Sequence, residues 1–127
     1  MYLKRGDIFY ARIAELENSN IQTGVRPVII TSNEMALKHS PVIQYIPLTS
    51  RLSKNKLPVH VELNTDFLRP SIALVEQEGC IDKNRLLEKV GSLDESDMYK
   101  IDVAILKQRG IDVIKLAKNM KQYAYVY

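Results

Sequence analysis

The chain has 127 residues and a mass of 14.6 kDa, with 46% hydrophobic and 26% charged residues. That length suits one compact domain, and the balance excludes a disordered chain, a collagen and a coiled-coil rod. Lys plus Arg total 18 and Asp plus Glu total 15, a net charge of +3 with a pI near 9.0, too mild to prove a nucleic-acid partner. No stretch approaches the roughly 20 apolar residues of a membrane-spanning helix. The opening Met-Tyr-Leu-Lys-Arg-Gly-Asp turns charged at once and lacks a signal-peptide core. A soluble cytoplasmic protein with no membrane partner is expected. The single Cys80 can make no internal disulfide and no zinc site. It is read as a buried small hydrophobe.

In chain order, residues 7–13 are rich in Ile, Phe, Tyr and Ala and read as a strand. Residues 16–23, polar with Asn-Ser-Asn inside, read as a loop. The run Val-Ile-Ile predicts a buried strand over 27–31. Ser32 or Asn33 then caps a short helix through His39, and 42–49 form a third strand. Residues 50–56 make a basic loop. Over 57–63, Leu57, Val59, Val61 and Leu63 alternate with Pro58, His60 and Glu62, the pattern of a half-buried antiparallel strand. Residues 72–82 read as one further strand and 84–89 as a helical turn. Ser92-Leu-Asp-Glu has the form of a capping box. It predicts a helix to about Arg109, with Met98, Ile101, Ile105 and Leu106 as its apolar stripe and Gly110 as its stop. Residues 111–122 form a second short helix. The closing Tyr-Ala-Tyr-Val-Tyr fits a strand or a partner contact. Several short strands followed by helix, without strand–helix alternation, argue for a small, strongly twisted antiparallel sheet or half-barrel with a C-terminal helix.

The basic excess is confined to the first half. Residues 1–63 hold eight Lys and Arg against five acids, and residues 64–127 hold ten of each. Between Thr49 and Pro58 stand Arg51, Lys54 and Lys56 with no acid, a patch suited to a phosphate backbone. No glycine-rich phosphate loop, His-Glu-x-x-His, Cys-x-x-Cys or Gly-x-Ser-x-Gly pattern is present. Neither a metal nor a cofactor is expected. Arg5-Gly6-Asp7 is a tripeptide of a kind that arises by chance.

Three segments carry more information as an ordered set: Lys4-Arg5-Gly6-Asp7-Ile8-Phe9, Thr23-Gly24-Val25-Arg26-Pro27-Val28-Ile29-Ile30, and Pro47-Leu48-Thr49-Ser50 followed by Leu57-Pro58-Val59-His60-Val61. Together they resemble the MazF/PemK/Kid toxins of bacterial toxin–antitoxin pairs. Glu76-Gln77, Ile81-Asp82-Lys83-x-Arg85-Leu86 and Leu93-Asp94 extend the resemblance across about residues 2–109. It implies one mostly β (α+β) domain over 1–127, an SH3-like small antiparallel barrel with a C-terminal helix, working as a homodimer. It implies a metal-independent endoribonuclease that cuts single-stranded RNA at a short sequence. The RNA's own 2′-hydroxyl would attack, leaving a 2′,3′-cyclic phosphate and a 5′-hydroxyl. A cognate antitoxin would fill the RNA groove, and any DNA contact would pass through it. The chain departs from the family pattern in having Thr23-Gly24 where two glycines are common, and in running on over about 112–127.

Within that resemblance Arg26 and Thr49 are the catalytic candidates. A guanidinium offers five donors in a planar fork that matches phosphoryl oxygens, and a Thr49 hydroxyl can donate to the same phosphate. The family assigns its arginine a general acid or base role. A guanidinium, which holds its proton far above neutral pH, is a poor base, so transition-state stabilisation and protonation of the leaving oxygen fit better. Candidate RNA contacts are Asn18, Asn20 and Gln22 in the first loop, Ser50, Arg51, Lys54 and Lys56 in the basic loop, and Gln77. His39 and His60 offer a conventional acid–base pair. Structural or solvated roles suit them better, His60 lying on the outer face of its strand. Two other readings stand beside the nuclease. A CcdB-like toxin would bind DNA gyrase without enzymatic activity, but such toxins use a C-terminal Trp-Gly-Ile and this chain has no Trp. A non-catalytic RNA-binding SH3-like module would need neither Arg26 nor Thr49.

Overall fold

A computed structural model describes residues 2–54 and 57–121. In chain order come β1 (Asp7–Ile13), β2 (Gly24–Ile30), α1 (Glu34–His39), β3 (Val42–Thr49), β4 (His60–Leu63), β5 (Ser71–Leu74), β6 (Gly79–Asp82), β7 (Leu86–Ser92), α2 (Glu95–Gln108) and α3 (Val113–Met120). Short 3₁₀ turns cover Leu52–Lys54, Val75–Gln77 and Lys83–Arg85. The strands join antiparallel in the order β4-β5-β3-β2-β1-β7, with β6 also on β3. The architecture is mostly β with helix after the strands, as expected. Among the described residues, no helix is long and apolar enough to cross a membrane.

The Val28-Ile29-Ile30 run is apolar at every position because the sheet is covered on both faces. Side chains alternate across a strand. Phe9, Ala11, Val28, Ile30, Ile43 and Tyr45 therefore fall in one core with Leu37 of α1 and Leu86 of β7. Ile8, Ile29, Ile46 and Leu48 fall in a second core with Leu63, Ala73 and, from α2, Ile101 and Ala104. Of the expected α2 stripe, Ile101 is fully buried, and Met98 and Ile105 pack partly against the second core.

The Arg-Gly-Asp tripeptide is a structural knot. Arg5 forks onto Asp102 of α2 at 2.6 and 3.2 Å and donates through Nε to the Thr31 carbonyl at 2.9 Å. Gly6 takes φ +93°. Asp7 is wholly buried and accepts from the Lys4 N–H at 2.9 Å and the Ser92 hydroxyl at 2.6 Å. Lys89 Nζ lies 3.4 Å from the same carboxylate. A buried carboxylate persists only with such partners.

Several sequence expectations are corrected. The stretch 72–82 is two strands, because β3 shares one edge between two neighbours. Its Leu48 and Thr49 pair with β5, and its Val42 to Tyr45 pair with β6. The chain crosses from one pairing to the other through the Val75–Gln77 turn. Residues 86–92 form β7 on the edge of β1, so the helical turn expected at 84–89 shrinks to Lys83–Arg85. The α2 cap is Asp94, which accepts the Asp97 N–H at 2.8 Å; Ser92 is committed to Asp7 instead. Strand β4 starts only at His60, since residues 57–60 turn, with the His60 N–H on the Leu57 carbonyl at 3.0 Å. Leu57 is consequently exposed. Cys80 is exposed, on the outward side of β6. Helix α1 is capped by Asn33, and Gly110 follows α2 with φ +70°. The closing Tyr-Ala-Tyr-Val-Tyr lies outside the described residues.

Candidate active site

Arg26 stands near the start of β2. Gly24 precedes it with φ +83°, and nothing lies within 4 Å of where a Cβ would sit. The glycine is therefore required by backbone conformation and not by space. That bend aims the Thr23 carbonyl at Arg26, whose Nε donates to it at 2.7 Å. The anchor uses one of five guanidinium donors and leaves four to reach outward. Among the described residues no carboxylate pairs with Arg26, so it is not an ordinary surface ion pair.

Arg26 opens onto a cleft of about 220 Å³ that it lines with Tyr10, Ser50, Leu68, Arg69 and Ser71. Two arginines, Arg26 and Arg69, and three hydroxyl-bearing residues, Tyr10, Ser50 and Ser71, line one opening, and no acid lines it. Arg69 and Ser71 carried no signal in the sequence. They reach the cleft because β5 pairs with the end of β3, which delivers the turn before β5 to the site. The Ser71 hydroxyl donates to the Arg69 carbonyl at 2.8 Å and braces that turn.

Strand β3 brings Thr49 to the same neighbourhood. The β2–β3 register runs from Ile30 with Tyr45 to Val28 with Pro47, and Arg26 and Thr49 each lie two residues past that last pair. Thr49 is only 2% exposed and does not line the cleft, while its neighbour Ser50 does. The Thr49 hydroxyl oxygen accepts the Arg51 N–H at 3.2 Å. It thereby fixes the start of the basic loop and keeps its own proton for donation. The Arg51 side chain is exposed. The Lys54 side chain and all of Lys56 lie outside the described residues.

The first loop is organised differently from the sequence reading. Asn18, at φ +53°, and Asn20 are exposed, while Gln22 is buried at 5%. Gln77 does not stand free to read a base. Its Oε1 accepts the Gln22 N–H at 2.8 Å and its Nε2 donates to the Asn20 carbonyl at 3.4 Å. Successive side chains on a 3₁₀ turn fan apart by about a third of a revolution. Glu76, Gln77 and Glu78 accordingly meet three different neighbours. Glu76 meets His60, Gln77 meets the loop, and Glu78 takes the Thr31 hydroxyl at 2.8 Å and Arg109 of α2 at 2.7 Å. Expected on a continuous strand, Glu76 and Glu78 would have shared a face.

His60 is not on an outer face. Its side chain is 4% exposed and its Nε2 faces both Glu76 oxygens at 3.0 and 2.9 Å. His39 ends α1, on another element, and is exposed. Among the described residues, no three of His, Cys, Asp and Glu gather in a metal-holding group.

Residues 4–108 match the family model described as PemK-like, MazF-like toxin of type II toxin–antitoxin system. The chain belongs to this family. It is 39% identical over 108 residues to Endoribonuclease EndoA of Bacillus subtilis (strain 168), covering 83% of this chain and 92% of that protein. It is 34% identical over 119 residues to Endoribonuclease MazF of Staphylococcus saprophyticus, covering 91% and 98%. Solved MazF structures share the fold. MazF of Deinococcus radiodurans superposes with a TM-score of 0.74 at 17% identity, covering 86% of this chain and 97% of that one. A mycobacterial endoribonuclease in complex with its cognate antitoxin superposes at 0.66 with 19% identity, covering 85% and 93%. Helix α3 lies beyond the residues that the family model matches.

Proposed function

We propose that this MazF-family toxin is an endoribonuclease of single-stranded RNA and that Arg26 stabilises the transition state of cleavage. The observation that carries the reading is the anchored guanidinium of Arg26, free of any carboxylate among the described residues and opening beside Ser50 and Arg69. Relatives at 34 and 39% identity over most of the chain carry the name endoribonuclease.

In the reaction the substrate's 2′-oxygen bonds to phosphorus and the P–O5′ bond breaks. The 2′-proton leaves to a base, and the departing 5′-oxygen takes a proton. Products are a 2′,3′-cyclic phosphate and a 5′-hydroxyl. Charge builds on the non-bridging oxygens as the new bond forms, and donors already placed around them lower the barrier. Arg26 supplies paired N–H groups, and a guanidinium has donors and no acceptor, so it is suited to donate and not to accept. Thr49 holds the Arg51 amide and contributes its hydroxyl proton to the same phosphate. Arg51, Lys54 and Lys56 follow the RNA backbone, joined by Arg69. Ser50, Asn18 and Asn20 present polar groups to the bases, while Gln22 and Gln77 act by holding the first loop.

The same reading assigns a homodimer over a single domain of 127 residues, cytoplasmic, silenced by an antitoxin that also mediates any DNA contact. A solved mycobacterial endoribonuclease in complex with its cognate antitoxin supports that partner.

The test is cleavage of a long, weakly structured RNA in EDTA with mapped fragment ends. Wild type cuts at a short recurring sequence and leaves 5′-hydroxyl ends. Arg26→Ala is slower by about 10²–10³, and Arg26→Lys does not restore the rate because a point charge lacks the fork. Equal cutting by wild type and Arg26→Ala removes Arg26 from the mechanism. RNA binding without cutting by both proteins favours the binding module.

A further inference from the structure

The two loops assigned to RNA, 16–23 and 51–56, are well apart in the chain. The first loop, and Leu57 just past the second, are tied by side chains to the short segment between β5 and β6. The basic loop ends in the turn that closes on His60. The Leu57 N–H donates to His60 Nδ1 at 3.4 Å, beside the backbone bond from the His60 N–H to the Leu57 carbonyl. An accepting Nδ1 carries no proton, so the imidazole proton sits on Nε2. That N–H points between the two Glu76 oxygens at 3.0 and 2.9 Å. Glu76 shares its 3₁₀ turn with Gln77, whose amide holds the first loop at Gln22 and Asn20.

We infer that His60 is a positioning residue which, through the Glu76–Gln77 turn, fixes Leu57 at the end of the basic loop and the first loop in one relation for binding RNA. The inference rests on the RNA reading above. Its chemistry depends on a rigid ring with an acceptor on one edge and a donor on the other. A side-chain amide carries both functions on a single carbon and cannot span the two partners. The ring itself is buried, which shields its two nitrogens, while Leu57 is exposed and Glu76 partly so. Asn and Gln each reproduce half of the device. Asn reaches only as far as Nδ1 and keeps an acceptor for Leu57, while Gln reaches as far as Nε2 and keeps a donor for Glu76.

The experiment measures backbone amide exchange by NMR on the full chain, with RNA-cleavage kinetics on the same samples. In His60→Asn, exchange at Gln22 accelerates about tenfold while Leu57 stays near wild type. In His60→Gln the pattern inverts. Ile46, in the middle of β3, is unchanged in both. Glu76→Ala cuts the relay at its centre, leaves the ring on Leu57, and speeds Gln22 alone; it serves as the second variant if His60→Asn does not fold. In all three, KM for RNA rises about three- to tenfold with kcat within about twofold. Wild-type exchange at Gln22 in both His60→Asn and Glu76→Ala overturns the relay. So does acceleration of Ile46 in step with Gln22, which marks general loosening. Unchanged KM in every folded variant overturns the role in RNA binding. Failure of the wild type to cut RNA sinks the nuclease reading while leaving the exchange result intact, so the two failures are distinguishable.

Discussion

Arg26 is useful because of what Gly24 and Thr23 do to it. A guanidinium on a flexible stem has many rotamers, and fixing it normally costs up to about 2 kcal/mol of side-chain entropy. Here the Thr23 carbonyl holds Nε, and that carbonyl is aimed by a glycine at φ +83°. Gly24→Ala is expected to cost about 1 kcal/mol of stability through the left-handed backbone. It should cost more in cleavage, roughly ten- to a hundredfold, because the anchor moves. Melting and RNA cleavage on one sample check both, and a loss of rate no larger than the loss of stability implies would remove the anchor's role. Tyr45 makes a second case. Burial raises its hydroxyl above 10.0, with a smaller push from Cys80. An unfolded tyrosine therefore ionises first. Stability from this group is complete below pH 10 and declines as pH rises through the folded value. Melting from about pH 9 to 11 should fall more steeply for wild type than for Tyr45→Phe.

Elements are placed by contacts that no local pattern announces. Strand β7 carries Gly91, where a Cβ would stand 2.6 Å from Phe67 Cδ2. The Phe67 ring thus rests on bare backbone, in the same connection before β5 that bears Arg69 of the cleft. Gly91→Ala should cost about 1–3 kcal/mol by overpacking and slow cleavage by displacing that connection. Phe67→Ala in the same chain should relieve part of the clash, giving a double variant less destabilised than the sum. Full additivity in thermal melts would refute the contact. Helix α3 is different in kind. Ile114 is 71% exposed and Leu116 46%, so α3 adds nothing to the two cores, consistent with the family model ending at residue 108.

The molecule as a whole is a thin sheet made stable by covering both faces, one with α1 and the other with α2. Small domains of this size bury a modest share of their surface, which makes pairing with a second copy a natural supplement. Light scattering at micromolar concentration should return about twice the 14.6 kDa chain mass. A stable monomer would withdraw the homodimer from the proposed function.

Much of this was legible in the residues. Residues 7–13, rich in Ile, Phe, Tyr and Ala, and residues 42–49 read as strands with the bounds of β1 and β3, since β-branched and aromatic side chains suit a pleated, buried surface. Asn33 and Gly110 acted through local backbone geometry, and the ordered motifs around Arg26 and Thr49 carried the family. The folded chain alone settled the rest. The break at 75–77 exists because β3 offers one edge to two strands. Ser92 left its capping role for Asp7, 85 residues away in sequence. His60 went inside to Glu76, and Gln77 turned to the first loop. Arg69 entered the cleft through a strand pairing. Periodicity and capping are properties of neighbours along the chain, so sequence carries them. A buried acid's donors, a histidine's acceptor and a strand's second partner come from residues far apart, and only packing decides which of them meet.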